Sequence, residues 1–298
     1  MEGYEFSQAL YYGIFHSISA FCNAGFSLFP TSLENFATDP LIHGTISVLI
    51  LTGGLGFIVL KELSEIVVWR KSLVRLGLHT KIVVITSLIM LAAGFFLIFF
   101  GEFLNALDGY SLWEKIQIAF FQSVTLRTAG FNTIPITNLH TYTIYAMTLF
   151  MFIGGSPGSC AGGVKTTTLA ILTQSVKSTL KSERNVQLLD RKIPGPMVVR
   201  ATAITFVSIL AISSIFLVLI QVESEQSFLT LFFEVMSAFG TVGLSLGVTS
   251  FLSAPGKLLI TLLMYVGRIG PLTMILAIGQ QSYGRGKFDY PDGRIMIG

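Results

Sequence analysis

The sequence predicts an all-α, polytopic membrane protein built from repeated helix–pore loop–helix units. Composition is the first reason: 52% of the 298 residues are hydrophobic, only 12% are charged, 25 are Phe, and the mean hydropathy is +0.73. A soluble core of this length cannot hide so much apolar surface. The second reason is alternation, with long apolar stretches separated by short amphipathic ones. The third is a repeat. A short amphipathic segment runs into a Gly-centred turn as AFCNAGFSLFP around Gly25, TLRTAGFNTIP around Gly130 and AFGTVGLSLGV around Gly243.

A helix needs about 20 residues to cross a hydrocarbon core of about 30 Å. Five stretches qualify: 41–60, 82–100, 142–176 with an interruption, 198–220 and 258–279. Segments 6–21, 112–126 and 227–239 are too short and too polar to span, and each leads into one Gly turn.

The polar connections set the orientation. Lys61, Arg70, Lys71, Arg75 and Lys81 follow the first span, Lys177, Lys181, Arg184, Arg191, Lys192 and Arg200 the third, and Arg285, Lys287 and Arg294 the fifth. The positive-inside rule therefore places loops 61–81 and 174–200 and the C-terminus in the cytoplasm. The Gly turns then open to the outside. Glu34, Asp39, Glu102, Asp108, Glu223 and Glu225 lie on that outer side, where two readings stand: they attract cations to a pore mouth, or they are ordinary solvated loop charge.

The three turns match beyond the Gly itself. Phe15, Phe120 and Phe233 lie ten residues upstream, Ala20, Thr125 and Ala238 five upstream, and the turns are 105 and 113 residues apart. Those intervals exceed solenoid periods and point to duplicated units. A dehydrated cation needs oxygens in place of its water, and backbone carbonyls supply them without a fixed charge that would trap it. Gly permits the backbone angles and close approach this needs. The half-helix before each turn aims its partially negative C-terminal end at the ion. Candidate filter residues are Asn23, Ala24 and Gly25; Thr128, Ala129 and Gly130; and Thr241, Val242 and Gly243; the last three closely match the Thr-Val-Gly core of a potassium-channel filter, and the candidate K+ sites are Gly25, Gly130 and Gly243.

The element order gives units over 1–75, which lacks its first helix, 76–190 and 191–283, followed by a tail over 284–298. Because the first unit has no leading helix, the expectation is a fragment, or a misassigned start, of a longer chain. Five Gly and a Pro between Gly154 and Gly163 cannot sustain a regular helix, and broken backbone at membrane depth belongs where protein or water satisfies it. This stretch should line the pathway. It nearly spells a phosphate-binding loop, but Val164 spoils the spacing before Lys165 and no β-strand precedes it. The chain reads as no enzyme.

Arg268 sits within an apolar stretch, where an Arg normally faces a cavity or a partner. Lys165 has two open readings, snorkelling and gating, and Arg127 reads as a structural contact behind its turn. Cys22 and Cys160 suggest neither a disulfide nor a metal site. No basic aromatic surface suggests nucleic-acid binding.

With these features the chain resembles the Trk/Ktr/HKT superfamily of potassium transporters, most closely its bacterial Ktr membrane subunits. The likeness rests on the three Gly turns, on the run from Gly154 to Thr168, on Gly267-Arg268-Ile269-Gly270-Pro271-Leu272-Thr273 and on the C-terminal run from Tyr290 to Gly298. It implies four helix–pore–helix units around a pseudo-fourfold axis, of which the first unit and a half are missing here.

The resemblance further implies potassium uptake across the plasma membrane of a bacterium. A gate would be formed by Gly154, Gly155, Ser156, Pro157, Gly158, Ser159, Gly162, Gly163 and Lys165 together with Arg268. It implies a homodimer, contact with membrane lipids, and a cytosolic ring of nucleotide-binding regulatory subunits through which ATP or ADP would act. Na+ is an activator, coupling ion or alternative cargo on this reading, and a nonconducting membrane subunit is the remaining alternative.

Overall fold

The computed structural model describes residues 5–69, 76–183 and 185–270, without the side chains of 67–69. The expected tail 284–298, the end of the fifth stretch beyond Gly270, and Arg70, Lys71, Arg75 and Arg184 lie outside the described residues. Ten α-helices occur among them: α1 (Phe6–Phe21), α2 (Pro40–Leu55), α3 (Phe57–Trp69), α4 (Leu78–Gly101), α5 (Leu112–Thr125), α6 (Thr141–Phe152), α7 (Thr166–Leu180), α8 (Gly195–Val222), α9 (Phe228–Gly240) and α10 (Ala254–Ile269). A two-residue hairpin, β1 (Gln187–Leu188) with β2 (Arg191–Lys192), links α7 to α8.

Two of these helices, α4 and α8, are long and apolar enough to cross a bilayer. The stretch 41–60 was expected as one span and is instead two helices, bent by 112° between α2 and α3. Gly56 at the bend has φ +84°, a conformation open to glycine at little cost, and Gly53 and Gly54 precede it. The interrupted stretch is likewise two helices, α6 and α7, separated by non-helical residues 153–165.

The short helices before the second and third Gly turns each pack among several others. α5 lies on α4 and α2, while α9 lies on α6, α8 and α10. In lipid, helices gain little from burying apolar surface against one another, so close packing and polar contacts decide their association. Gly94 shows the device: a Cβ there would sit 2.6 Å from Ser123 Oγ, and that hydroxyl donates 2.6 Å to the Leu91 carbonyl. Thus α5 is fastened to α4 where a side chain on Gly94 would push it away.

Helix starts on the loop side are capped in a repeated way. The Glu102 carboxylate, on the C-cap residue of α4, accepts the His140 backbone N–H at the start of α6 (3.0 Å). Glu223, in the same place after α8, accepts the Ser253 N–H at the start of α10 (2.9 Å) and the Ser253 hydroxyl. A carboxylate at a helix N-terminus satisfies orphan N–H groups and opposes the dipole's positive end. α2 has the equivalent acceptor on its own N-cap, Asp39, which takes the Leu41 and Ile42 N–H groups. Glu102 is fully buried. All three acids cap helix starts, and burial removes Glu102 from the solvated loop charge.

Candidate ion pathway

The three Gly turns meet. A Cβ on Gly25 would lie 2.7 Å from the Ala129 carbonyl and 2.8 Å from Gly130 Cα, while one on Gly130 would lie 3.0 Å from Gly25 Cα and 3.4 Å from Gly243 Cα. No residue larger than Gly fits at the contact of Gly25 with Gly130 without displacing backbone. The outer faces of all three line one cavity of about 490 Å³, together with Ser27, Ser32, Glu34, Asn132 and Ser245.

Backbone handedness repeats as well. The residue two before each Gly is left-handed, with φ +49° at Asn23, +69° at Thr128 and +50° at Thr241, and the Gly residues follow at +71°, +80° and +93°. In extended chain, successive peptides face opposite ways. Left-handed residues interposed at every second position allow carbonyls to face one side. For a β-branched Thr this conformation costs on the order of 1–3 kcal/mol. Two such residues at matched positions mark a constrained site. The Thr128 and Thr241 hydroxyls there are buried without a hydrogen-bond partner among the described residues.

Beneath the turns lies the broken segment 153–165. It pinches at its neck, where Gly154 N–H donates to the Val164 carbonyl (2.9 Å) and Val164 N–H to the Phe152 carbonyl (3.0 Å). Its Gly162 abuts the Thr241 side chain, directly under the third turn.

The segment is laced to the bent end of α2, a contact that sequence reading missed. Ser156 N–H donates to the Gly54 carbonyl (3.0 Å), Cys160 N–H to the Gly53 carbonyl (3.1 Å), and the Ser156 hydroxyl to the Leu55 carbonyl. In return, Phe57 N–H at the start of α3 donates to the Gly158 carbonyl (3.2 Å). The last carbonyls of a helix have no partner within it. Here the broken segment supplies them, so the bend at Gly56 and the break at 153–165 satisfy each other. The signal was present in the sequence as Gly53, Gly54 and Gly56 inside one expected span.

Two cations reach neighbouring carbonyls of the same segment. Arg268 donates from Nη1 to Cys160, and Lys165 from Nζ to Ala161 (2.5 Å). They lie close enough to repel. Arg268 occupies the last turn of α10, where the partially negative helix end favours a cation; it is exposed in this chain rather than enclosed. Among the gate candidates, Pro157, Gly158, Ser159 and Gly163 lie in the same segment. Gly155 accepts the Thr166 N–H at the start of α7 (3.0 Å).

Arg127 is apart from these. Its side chain is 6% exposed behind the second turn, with Nη2 donating 3.0 Å to the Ser87 hydroxyl of α4.

Comparison with known proteins agrees in fold and in sequence. The potassium transporter TrkH from Vibrio parahaemolyticus superposes with a TM-score of 0.74 at 19% identity, covering 91% of this chain and 58% of that one. Potassium uptake protein B of the Ktr system of Bacillus subtilis is 35% identical over 99% of this chain and 65% of its own length. The potassium/sodium uptake protein NtpJ of Enterococcus hirae is 34% identical over 98% of this chain and 65% of its own. The chain thus spans somewhat under two thirds of the relatives it matches. A family model described as a cation transport protein, TrkH, matches residues 2–282. This chain belongs to the TrkH family of cation transport proteins.

Proposed function

We propose that the chain carries three quarters of a potassium pathway across a bacterial plasma membrane. One observation carries the reading: three Gly turns with the same left-handed pattern converge on one vestibule, each at the end of a short half-helix. Carbonyls at Asn23–Gly25, Thr128–Gly130 and Thr241–Gly243 would replace the ion's water, with the orphan Thr128 and Thr241 hydroxyls as further oxygen ligands. Protein-bound metal is not required for this; the ion is cargo.

On this reading, the units are 1–75, 76–190 and 191–283, with loops 61–81 and 174–200 and the C-terminus cytoplasmic. Segment 153–165 is the gate. It occupies the path below Thr241 and is held there by Arg268 and the end of α2, with Lys165 bracing it from within. A homodimer and a nucleotide-binding cytosolic partner would act on this gate from below. Sodium is the second reading, supported by the potassium/sodium uptake named for the Enterococcus hirae relative.

The test is rubidium and sodium uptake in cells stripped of their own potassium uptake systems. Cells would carry either residues 1–298 or the same chain extended through the upstream reading frame. Uptake selective for rubidium, abolished by Gly130→Ala, is expected. Absence of uptake from both forms would sink the reading, and sodium-selective uptake would favour the second.

A further inference from the structure

Aligned on the filter Gly, the residue nine positions earlier is His16, Phe121 or Glu234, and the residue two positions later is Ser27, Asn132 or Ser245. The structure joins these positions in the first and third turns. His16 Nδ1 lies 2.7 Å from the Tyr12 carbonyl, so it carries the proton, and Nε2 is an acceptor. That nitrogen takes the Leu28 N–H (3.3 Å) and the Ser27 hydroxyl (3.1 Å). Glu234 does the same with its carboxylate. It accepts from the Ser245 hydroxyl (2.8 Å) and from the Thr249 hydroxyl, while Ser245 Oγ accepts the Gly247 N–H (3.0 Å).

Both side chains are buried, at 6% and 5% exposure, inside the half-helices that end at the turns. A second pair reinforces each. Ser19 Oγ donates to the Phe26 carbonyl (2.8 Å), and Ser237 Oγ accepts the Gly243 N–H (3.2 Å); both serines lie six residues before their Gly.

The middle turn lacks this arrangement. Phe121 and Val124 stand at the two positions, and Asn132 is held from outside by the Glu34 carboxylate (2.6 Å) and the Ser32 hydroxyl (3.2 Å). The buried polar brace is thus a property of the first and third turns. In a ring of four units these two would face each other across the pore.

We propose that His16 and Glu234 are positioning residues that fix the outer strands of two opposed filters and so determine cation preference. They do not touch the ion. They hold the strand that follows the Gly at a fixed distance from its half-helix, and that distance sets the spacing of the carbonyls. A buried carboxylate or imidazole is costly to place at membrane depth; two hydroxyls at Glu234, and a hydroxyl and an amide at His16, meet that cost. An apolar residue such as Phe121 would pack there without one.

This inference rests on the filter reading, and two measurements separate the two. The first is hydrogen exchange of the purified chain with K+ or Na+ as the sole alkali cation. Expected are slower exchange in K+ across 26–29 and 243–247, loss of that difference at 26–29 in His16→Phe and at 243–247 in Glu234→Ala, and no change at 130–134 in either. The second is the rubidium-to-sodium uptake ratio, which should fall roughly tenfold in each variant, as expected for loss of a buried hydrogen-bonded group. Glu234→Gln and His16→Gln, which keep an acceptor, should restore most of it.

K+-specific protection that persists in His16→Phe and Glu234→Ala would overturn the brace while leaving the filter standing. Faster exchange with an unchanged uptake ratio would show packing contacts that do not set preference. A wild-type chain with neither K+-specific protection nor uptake would overturn the filter reading, and the positioning role with it.

Discussion

Replacing Arg268 with Ala should open the pathway. Its guanidinium holds the Cys160 carbonyl of segment 153–165, one residue from the carbonyl that Lys165 holds. A hydrogen bond from a charged donor contributes about 1.5–3 kcal/mol. If that bond exists only while the segment blocks the path, its loss shifts the segment toward the displaced state by roughly 10- to 150-fold. The assay is basal rubidium flux into proteoliposomes without any regulatory partner. Arg268→Ala should raise this flux by about that factor, up to saturation of the open state. Arg268→Lys, which keeps the charge but not the planar donor, should fall between. Because Lys165 braces the adjacent carbonyl from within the segment, Lys165→Ala combined with Arg268→Ala should raise flux by less than the product of the two single effects. Unchanged basal flux in a folded Arg268→Ala chain would refute the latch.

Three further outcomes follow from the same geometry. Ser156→Ala keeps the backbone bond to Gly54 but loses the hydroxyl donated to Leu55, about 0.5–1.5 kcal/mol; basal rubidium flux should rise by roughly 2- to 13-fold. Glu102→Ala strips the acceptor from the start of α6 and should lower stability by about 1–3 kcal/mol, with Glu102→Gln losing less, as read by thermal melting in detergent. The Glu114 carboxyl, at the loop-side start of α5, is held below its ordinary value of 4.5 by the Ser111 backbone N–H, then by the Ser111 hydroxyl. A lowered carboxyl stabilises the fold above its ordinary value and loses that effect as pH falls through the lowered one. Glu114→Gln should therefore melt below wild type at pH 7, and the gap should close under acid; a gap that widens would contradict the cap.

What the sequence made legible depended on spacing. The three Gly turns repeat with their half-helices, and a Gly-rich run at membrane depth can hardly be helical, so the converging turns and the break at 153–165 were both within reach. The bend at Gly56 was not, because hydropathy averages over it: Leu51, Leu55, Phe57 and Leu60 read as one apolar stretch whatever angle the backbone takes. Only its partner explains it. The carbonyls of Gly53, Gly54 and Leu55 end α2 without intrahelical donors, and the donors that meet them lie about a hundred residues away, at Ser156 and Cys160. The acids show the same limit from the other direction. Glu102 and Glu223 read from the sequence as mouth or loop charge, and their carboxylates sit on the N-terminal amides of α6 and α10. In each case the pattern along the chain identified a polar or flexible residue but not its partner. The gate proposed for 153–165 needs such long-range pairing: a segment bound only to its own neighbours would have nothing to let go of when it moves. The bonds from 153–165 to α2 and to Arg268 give it two holds outside its own helices, and displacement must break both.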